Sequence, residues 1–252
     1  ALKAAGESMI VPETYSVQNL NGAVNLLEAL SNSKTRIVIF SSTAAVYGMP
    51  EELPLTEDHP LKPINFYGYT KLAIENLFDW FYRLKGIHYA NLRYFNAAGY
   101  DTEGKVMGLE QNPANLIPIV MEVATGRREK VAVFGKDYPT PDGTGVRDYI
   151  HVTDLADAHL RAFEYVLKNG EPLTVNLGTG KGSSVLEVIQ MTEKICGKPI
   201  AHEFVERRSG EPAELFAHSK KANELLGWEP NFSDLKTIVG STWSVYKKNM
   251  KS

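Results

Sequence analysis

The apolar positions of this chain keep two rhythms. Val17, Leu20, Val24, Leu27 and Leu30 recur at helical spacing, which predicts a helix from Pro12 to Leu30. Arg36-Ile37-Val38-Ile39-Phe40 is instead a short continuous apolar run, the pattern of a strand buried on both faces. It leads into Ser41-Ser42-Thr43 and a loop spaced by Pro50, Pro54, Pro60 and Pro63, each of which excludes a helix interior. Ile74, Leu77, Phe78, Phe81 and Leu84 then form one stripe, predicting a helix from Tyr67 to Leu84. Tyr89 to Phe95 reads as the next strand. Helix, strand, loop, helix, strand is the α/β alternation that builds parallel sheets through right-handed crossovers.

From Asn96 onward, glycine- and proline-rich loops lengthen, marking a second region over residues 96–252 beside a first over residues 1–95. Val175-Asn176-Leu177 is a short strand expected to return to the main sheet. Two more helices are predicted over Ser184–Cys196 and Ser233–Lys247.

Composition narrows the function classes. The chain has 252 residues, 43% of them hydrophobic and 23% charged, the balance of an ordinary globular α/β protein. A net charge of −3 gives no footing for nucleic acid or an anionic membrane surface. No apolar run approaches the ~20 residues of a membrane span. The single cysteine, Cys196, excludes an intrachain disulfide and a cysteine-rich zinc site, and fits a reducing, cytoplasmic setting. His151 and His218 lack metal-ligand spacing, and no metal is expected.

The candidate chemistry centres on Tyr67-Gly68-Tyr69-Thr70-Lys71. Four residues apart on a helix, Tyr67 and Lys71 share a face. A phenol with a reference pKa of about 10 is a poor base near neutrality, and a neighbouring ammonium favours its anion. The expected result is a tyrosine able to take a proton from an alcohol as hydride leaves. Ser41-Ser42-Thr43 follows a parallel strand, where ligands of open sheets sit, so a hydroxyl can join the phenol and the ammonium. Arg147 and the pair Arg207-Arg208 suit bidentate phosphate recognition, or equally surface ion pairs with Asp142, Asp148 or Glu206. Gly178-Thr179-Gly180-Lys181-Gly182-Ser183 has the wrong spacing for either nucleotide loop, and is read as backbone freedom between a strand and a helix.

Together these stretches resemble the extended short-chain dehydrogenase/reductase family, and within it the UDP-glucose 4-epimerases. The resemblance is carried by Phe40-Ser41-Ser42-Thr43-Ala44-Ala45-Val46-Tyr47-Gly48, Tyr67 to Lys71, Leu92-Arg93-Tyr94-Phe95-Asn96, Pro113 to Pro118, Phe134 to Tyr138, and Gly143 to Val152. It covers essentially the whole chain. It implies part of a Rossmann-type doubly wound parallel sheet with a smaller, loop-rich UDP-sugar domain. It also implies NAD as cofactor and a UDP-hexose as substrate. Tyr67, Lys71 and Thr43 match the catalytic positions, and these three with Lys3, Asn19 and Phe95 match positions lining NAD. Asn96, Asn115, Leu116, Ala132, Val133, Phe134, Arg147, Arg208 and Glu211 match positions around the UDP-sugar, with the two arginines on the diphosphate. A homodimer of the full-length protein is implied too, built through the tyrosine-bearing helix.

Some departures bear on the reading. Sugar-nucleotide 4,6-dehydratases place an acid pair after the strand hydroxyl, where this chain has Ala44 and Ala45, which disfavours dehydration. Glu211 stands where the family usually has aspartate. Leu215 occupies a variable position shaping the sugar pocket, so a UDP-N-acetylhexosamine 4-epimerase is the alternative, with a non-catalytic UDP-sugar binder behind it. The glycine-rich pyrophosphate loop that opens the family's nucleotide domain has no counterpart here. The chain reads as the C-terminal three quarters of such an enzyme, expected alone to bind NAD weakly and turn over little.

Overall fold

The computed structural model describes residues 1–208 and 210–250. In chain order the elements are α1 (Ala5–Ser8), α2 (Pro12–Tyr15), α3 (Gly22–Ser31), β1 (Ile37–Ser41), α4 (Phe66–Lys85), β2 (His88–Tyr94), β3 (Asn96–Ala98), α5 (Leu116–Ala124) and β4 (Val131–Phe134). They continue as β5 (Val146–Arg147), β6 (Tyr149–His151), α6 (Val152–Asn169), β7 (Leu173–Leu177), β8 (Ser183–Ser184), α7 (Val185–Cys196), β9 (His202–Val205), β10 (Glu214–Leu215), α8 (Lys220–Leu226) and α9 (Leu235–Lys248). The chain forms two compact units.

The first unit holds Ala1–Phe95, Asp157–Leu177 and His218–Trp228. Its sheet is parallel in the order β1-β2-β7. Ile39 lies opposite Ala90, and Ala90 opposite Leu173. Leu27, Ile74, Phe78, Ile87 and Tyr89 are buried together, with Val38 and Phe40 of β1 packed against them. This is the stripe of α4 pressed on the sheet. Asn65 caps that helix by accepting from the Gly68 N–H at 2.8 Å, and Gly86 ends it in the left-handed region at φ 63°.

Two details differ from the sequence expectation. The predicted helix over residues 12–30 is divided by a π-helical turn at Ser16–Asn21. π-turns of this kind frequently mark functional positions, and this one contains the buried Asn19. The second difference is β1, expected to be buried on both faces. All five of its residues are half-buried, because β1 is an edge of the three-stranded sheet with β2 on one side only.

The second unit comprises Asn96–Ala156, Gly178–Ala217 and Glu229–Ser252. Three small sheets, β3-β6, β4-β9 and β10-β5-β8, carry its loops. Its core joins Ile117, Val120 and Met121 of α5, Val133 of β4, Val188 and Ile189 of α7, and Ile238 and Val239 of α9. A reciprocal cap starts α7: Ser184 accepts from the Glu187 N–H while the Glu187 carboxylate accepts from the Ser184 N–H. Helices α5, α6 and α8 have no counterpart in the sequence reading.

Candidate active site

In the first unit, Thr43, Tyr67 and Lys71 come together. Thr43 follows β1 in extended conformation and caps a short 3-10 turn at Ala44–Val46 by accepting from the Ala45 N–H at 3.2 Å. Tyr67 lies in the first turn of α4, and its backbone N–H donates to the Ser8 hydroxyl at 3.0 Å. The two meet because Gly68 lies against the Ala45 carbonyl, where a Cβ would overlap backbone. The Thr43 side chain lies close enough to the Tyr67 phenol to favour its anion. Lys71 sits one turn on, with Nζ 5.8 Å from the centre of the Tyr67 ring and 4.6 Å from that of Phe40. It donates to the Ser41 carbonyl at 2.9 Å.

Burial dominates the electrostatics of this trio. It pushes the Tyr67 phenol up to about 12, against the Thr43 side chain that favours the anion. It brings the Lys71 ammonium down to about 8, against the attraction of Glu75. Lys71 by itself therefore does not bring the phenol below its ordinary range. Desolvation penalises each charged form more than one partner relieves it.

The expected cofactor-lining positions behave differently from one another. Asn19 is buried and its amide is engaged: it donates to the Leu2 carbonyl at 3.2 Å and to Thr70 Oγ1 at 3.1 Å, and accepts from the Leu2 N–H at 2.7 Å. It thus ties the strand of chain carrying the exposed Lys3 to the turn of α4 between Tyr67 and Lys71. Phe95 is half-buried and follows β2 directly.

In the second unit four expected binding residues form one cluster. Arg147 Nη2 lies 3.3 Å from Glu211 Oε2, and Arg208 Nη1 lies 3.2 Å from Glu211 Oε1. One carboxylate thus gathers two guanidinium groups. Arg208 is stacked on Phe134, its Cζ 3.8 Å from the ring centre. Ala132 and Val133 precede Phe134 on β4. Asn115 stands exposed before α5 and Leu116 begins that helix, half-buried. Asn96 opens β3 opposite Tyr149 and donates its N–H to the Asp148 carbonyl at 3.0 Å.

The glycine-rich segment after β7 folds around a side chain. Thr179 donates its N–H to Asp148 Oδ2 at 3.0 Å and its hydroxyl to Oδ1 at 2.7 Å. Gly178 lies where a Cβ would overlap the Ala217 carbonyl. Its glycine therefore serves close backbone approach. Burial lifts the Asp148 carboxyl to about 6, although Thr179 and Ala217 donate to it.

A family model described as GDP-mannose 4,6 dehydratase matches residues 1–240. The UDP-glucose 4-epimerase of Halalkalibacterium halodurans is 48% identical over 97% of this chain and 73% of that protein. The crystal structure of UDP-glucose-4-epimerase from Stenotrophomonas maltophila, with bound NAD and formylated UDP-arabinopyranose, superposes with a TM-score of 0.94. It is 40% identical and is matched over 100% of this chain and 75% of its own. The chain belongs to the UDP-glucose 4-epimerase family.

A further structure of that family, from Bifidobacterium longum in complex with NAD+ and UDP, matches 99% of this chain and 75% of its own at 40% identity and a TM-score of 0.90. Within this 4-epimerase family, the alanines after Thr43 acquire structural meaning. Ala44 is buried in the turn that Thr43 caps. Sequence reasoning did not single out Glu75, which lies beneath Lys71 at the same four-residue interval that links Lys71 to Tyr67. That interval was the available signal.

Proposed function

We propose that Thr43, Tyr67 and Lys71 carry the NAD-dependent interconversion of UDP-glucose and UDP-galactose at C4, with Arg147 and Arg208 on the diphosphate. The observation carrying this reading is the convergence of the Thr43 side chain and the Lys71 ammonium, one helical turn on, upon the Tyr67 phenol. Tyr67, as phenolate, takes the proton of the sugar 4-hydroxyl and later returns it. Thr43 hydrogen-bonds the same oxygen and keeps it over the phenol. A bound NAD, held in part by Lys71, would supply the reversible hydride acceptor for C4.

The donor set fits a nicotinamide nucleotide. Lys71 spends one N–H on Ser41, and an ammonium has three, which suits a ribose diol. Charge also fits. Bringing the Tyr67 phenol from about 12 to near neutrality takes roughly 7 kcal/mol of attraction to its anion. Two positive charges at about 5 Å supply roughly 3 kcal/mol each at an effective dielectric near 20. Lys71 alone covers about half, so a second cation beside the phenol is required for catalysis near neutrality.

A second copy of the chain is the proposed partner. Trp80 and Leu84 on α4 are 57% and 70% exposed, too apolar a face for solvent alone. Light scattering tests this, with Trp80→Glu expected to yield monomers. No helix among the described residues is long and apolar enough to cross a membrane.

The function is tested by following UDP-galactose by proton NMR in the full-length protein loaded with NAD. Appearance of UDP-glucose is expected. Conversion of UDP-N-acetylglucosamine alone would transfer the reading to N-acetylated sugars, and no conversion of either would overturn it.

A further inference from the structure

We propose that Glu75 is the positioning residue of this site, holding the Ser41–Thr43 segment through the Ser42 hydroxyl and the charge of Lys71 from one turn along α4. The inference rests on the 4-epimerase reading of Thr43, Tyr67 and Lys71.

Glu75 is 5% exposed. Its Oε1 accepts from the Ser42 hydroxyl at 2.5 Å and from Arg93 Nε at 3.0 Å. Its Oε2 accepts from Arg93 Nη2 at 2.6 Å. Ser42 lies between the two residues that matter: Ser41, whose carbonyl accepts from Lys71, and Thr43, whose side chain favours the Tyr67 anion. One carboxylate therefore grips the middle of the segment that presents both partners.

Arg93 is itself held from the far side. Its Nη1 donates to the Tyr47 hydroxyl at 3.1 Å, and that hydroxyl donates to Asn176 Oδ1 at 2.6 Å. The Asn176 N–H donates in turn to Glu57 Oε1 at 2.6 Å. The chain of bonds runs from α4 through β2 to β7, so the carboxylate is anchored to the sheet.

A buried ion pair is weak grounds for stability, because apolar residues of equal volume often serve as well. The Ser42 bond is what a purely structural Glu75–Arg93 pair would not need. Charge adds a second function. Lys71 faces Tyr67 and Glu75 on its own helix and the Ser41 carbonyl and Phe40 ring on β1. Arg93 on β2 faces Glu75 rather than the lysine, and Tyr47, just past the 3-10 turn, faces Arg93. Tyr94, at the end of β2, acts on Tyr67. Glu75 is the group that works against burial to keep Lys71 protonated.

The test reads Lys71 directly, by NMR of protein labelled with 13C-lysine, titrated with pH and assigned through Lys71→Arg. The wild-type midpoint is expected near 8. In Glu75→Gln it is expected to move down by about half a pH unit or more. Because Glu75→Gln strands the Arg93 charge, Ser42→Ala is measured beside it and alone decides the case in which the first variant does not fold. Ser42→Ala is expected to lower kcat roughly tenfold or more, to leave KM for UDP-galactose within about twofold, and to keep the wild-type Lys71 midpoint. A wild-type midpoint in Glu75→Gln, or a wild-type kcat in Ser42→Ala, overturns the proposal. Tyr67→Phe separates the claims: if it epimerises at the wild-type rate the functional reading fails, while the Lys71 titration, read without turnover, still judges Glu75.

Discussion

Gly68 rests directly on the carbonyl of Ala45, and a methyl group there would overlap backbone atoms. Gly68 lies within α4 beside Tyr67, and Ala45 lies within the turn that Thr43 caps. The contact therefore sets the spacing between phenol and hydroxyl. Gly68→Ala should gain about 1 kcal/mol of helix propensity and lose about 1–3 kcal/mol to the overlap. The overlap wins, because the neighbour is backbone and cannot swing aside. The expected outcome is a Tm lower by a few degrees, at about 2–4 °C per kcal/mol, and a kcat reduced roughly tenfold or more. Calorimetry and steady-state kinetics check both.

The two arginines of the second unit should not be equivalent. Both lie beside Glu211, but the Arg147 side chain is 19% exposed and that of Arg208 52%. A charge-assisted bond contributes more where water is excluded. Arg147→Ala should weaken binding of UDP by about 1.5–3 kcal/mol, roughly 10–150-fold. Arg208→Ala should cost less, and Arg147→Lys should fall between, keeping the charge without the fork. Titration calorimetry with UDP gives the order; a larger loss for Arg208→Ala would contradict it.

Asp148 ties stability to pH. Its carboxyl stands at about 6 in the folded chain against an ordinary 3.8, so the folded state holds the proton more tightly. Its contribution is complete below about pH 4 and is lost as pH rises through about 6, a fall of roughly 3 kcal/mol. Asp148→Asn removes the titration. Urea unfolding between pH 4 and 7 should show wild-type stability falling relative to the variant; parallel curves would contradict the assignment.

How far the chain could be read beforehand depended on how its buried faces are made. The stripe on α4 and the apolar run of β1 use large side chains, and both are visible in sequence. The buried face of α6 uses Ala158 and Ala162, while Leu160, Phe163 and Leu167 of the same helix are partly exposed or open. Its periodicity is therefore blurred. Helix α5 begins Leu116-Ile117-Pro118, and the proline looks like a breaker although the first turn needs no N–H there. Strands of two residues, such as β5, β8 and β10, are too short to show alternation. The π-turn around Asn19 changes direction without any residue that announces it.

The site divides in the same way. Tyr67 and Lys71 are legible because helical spacing joins them locally. Arg147, Arg208 and Glu211 are brought together by packing, and only family resemblance linked them. Glu75 was at the legible interval but carried no chemistry until Ser42 and Arg93 were seen on it.

The most direct test of the central claim is the turnover of Tyr67→Phe. The substitution removes one oxygen from a half-buried ring and leaves Thr43 and Lys71 in place. In the full-length, NAD-loaded protein, kcat for UDP-galactose should fall by roughly 100-fold or more, with KM nearly unchanged. A kcat within a few-fold of wild type would mean that Tyr67 does not move the proton of the 4-hydroxyl.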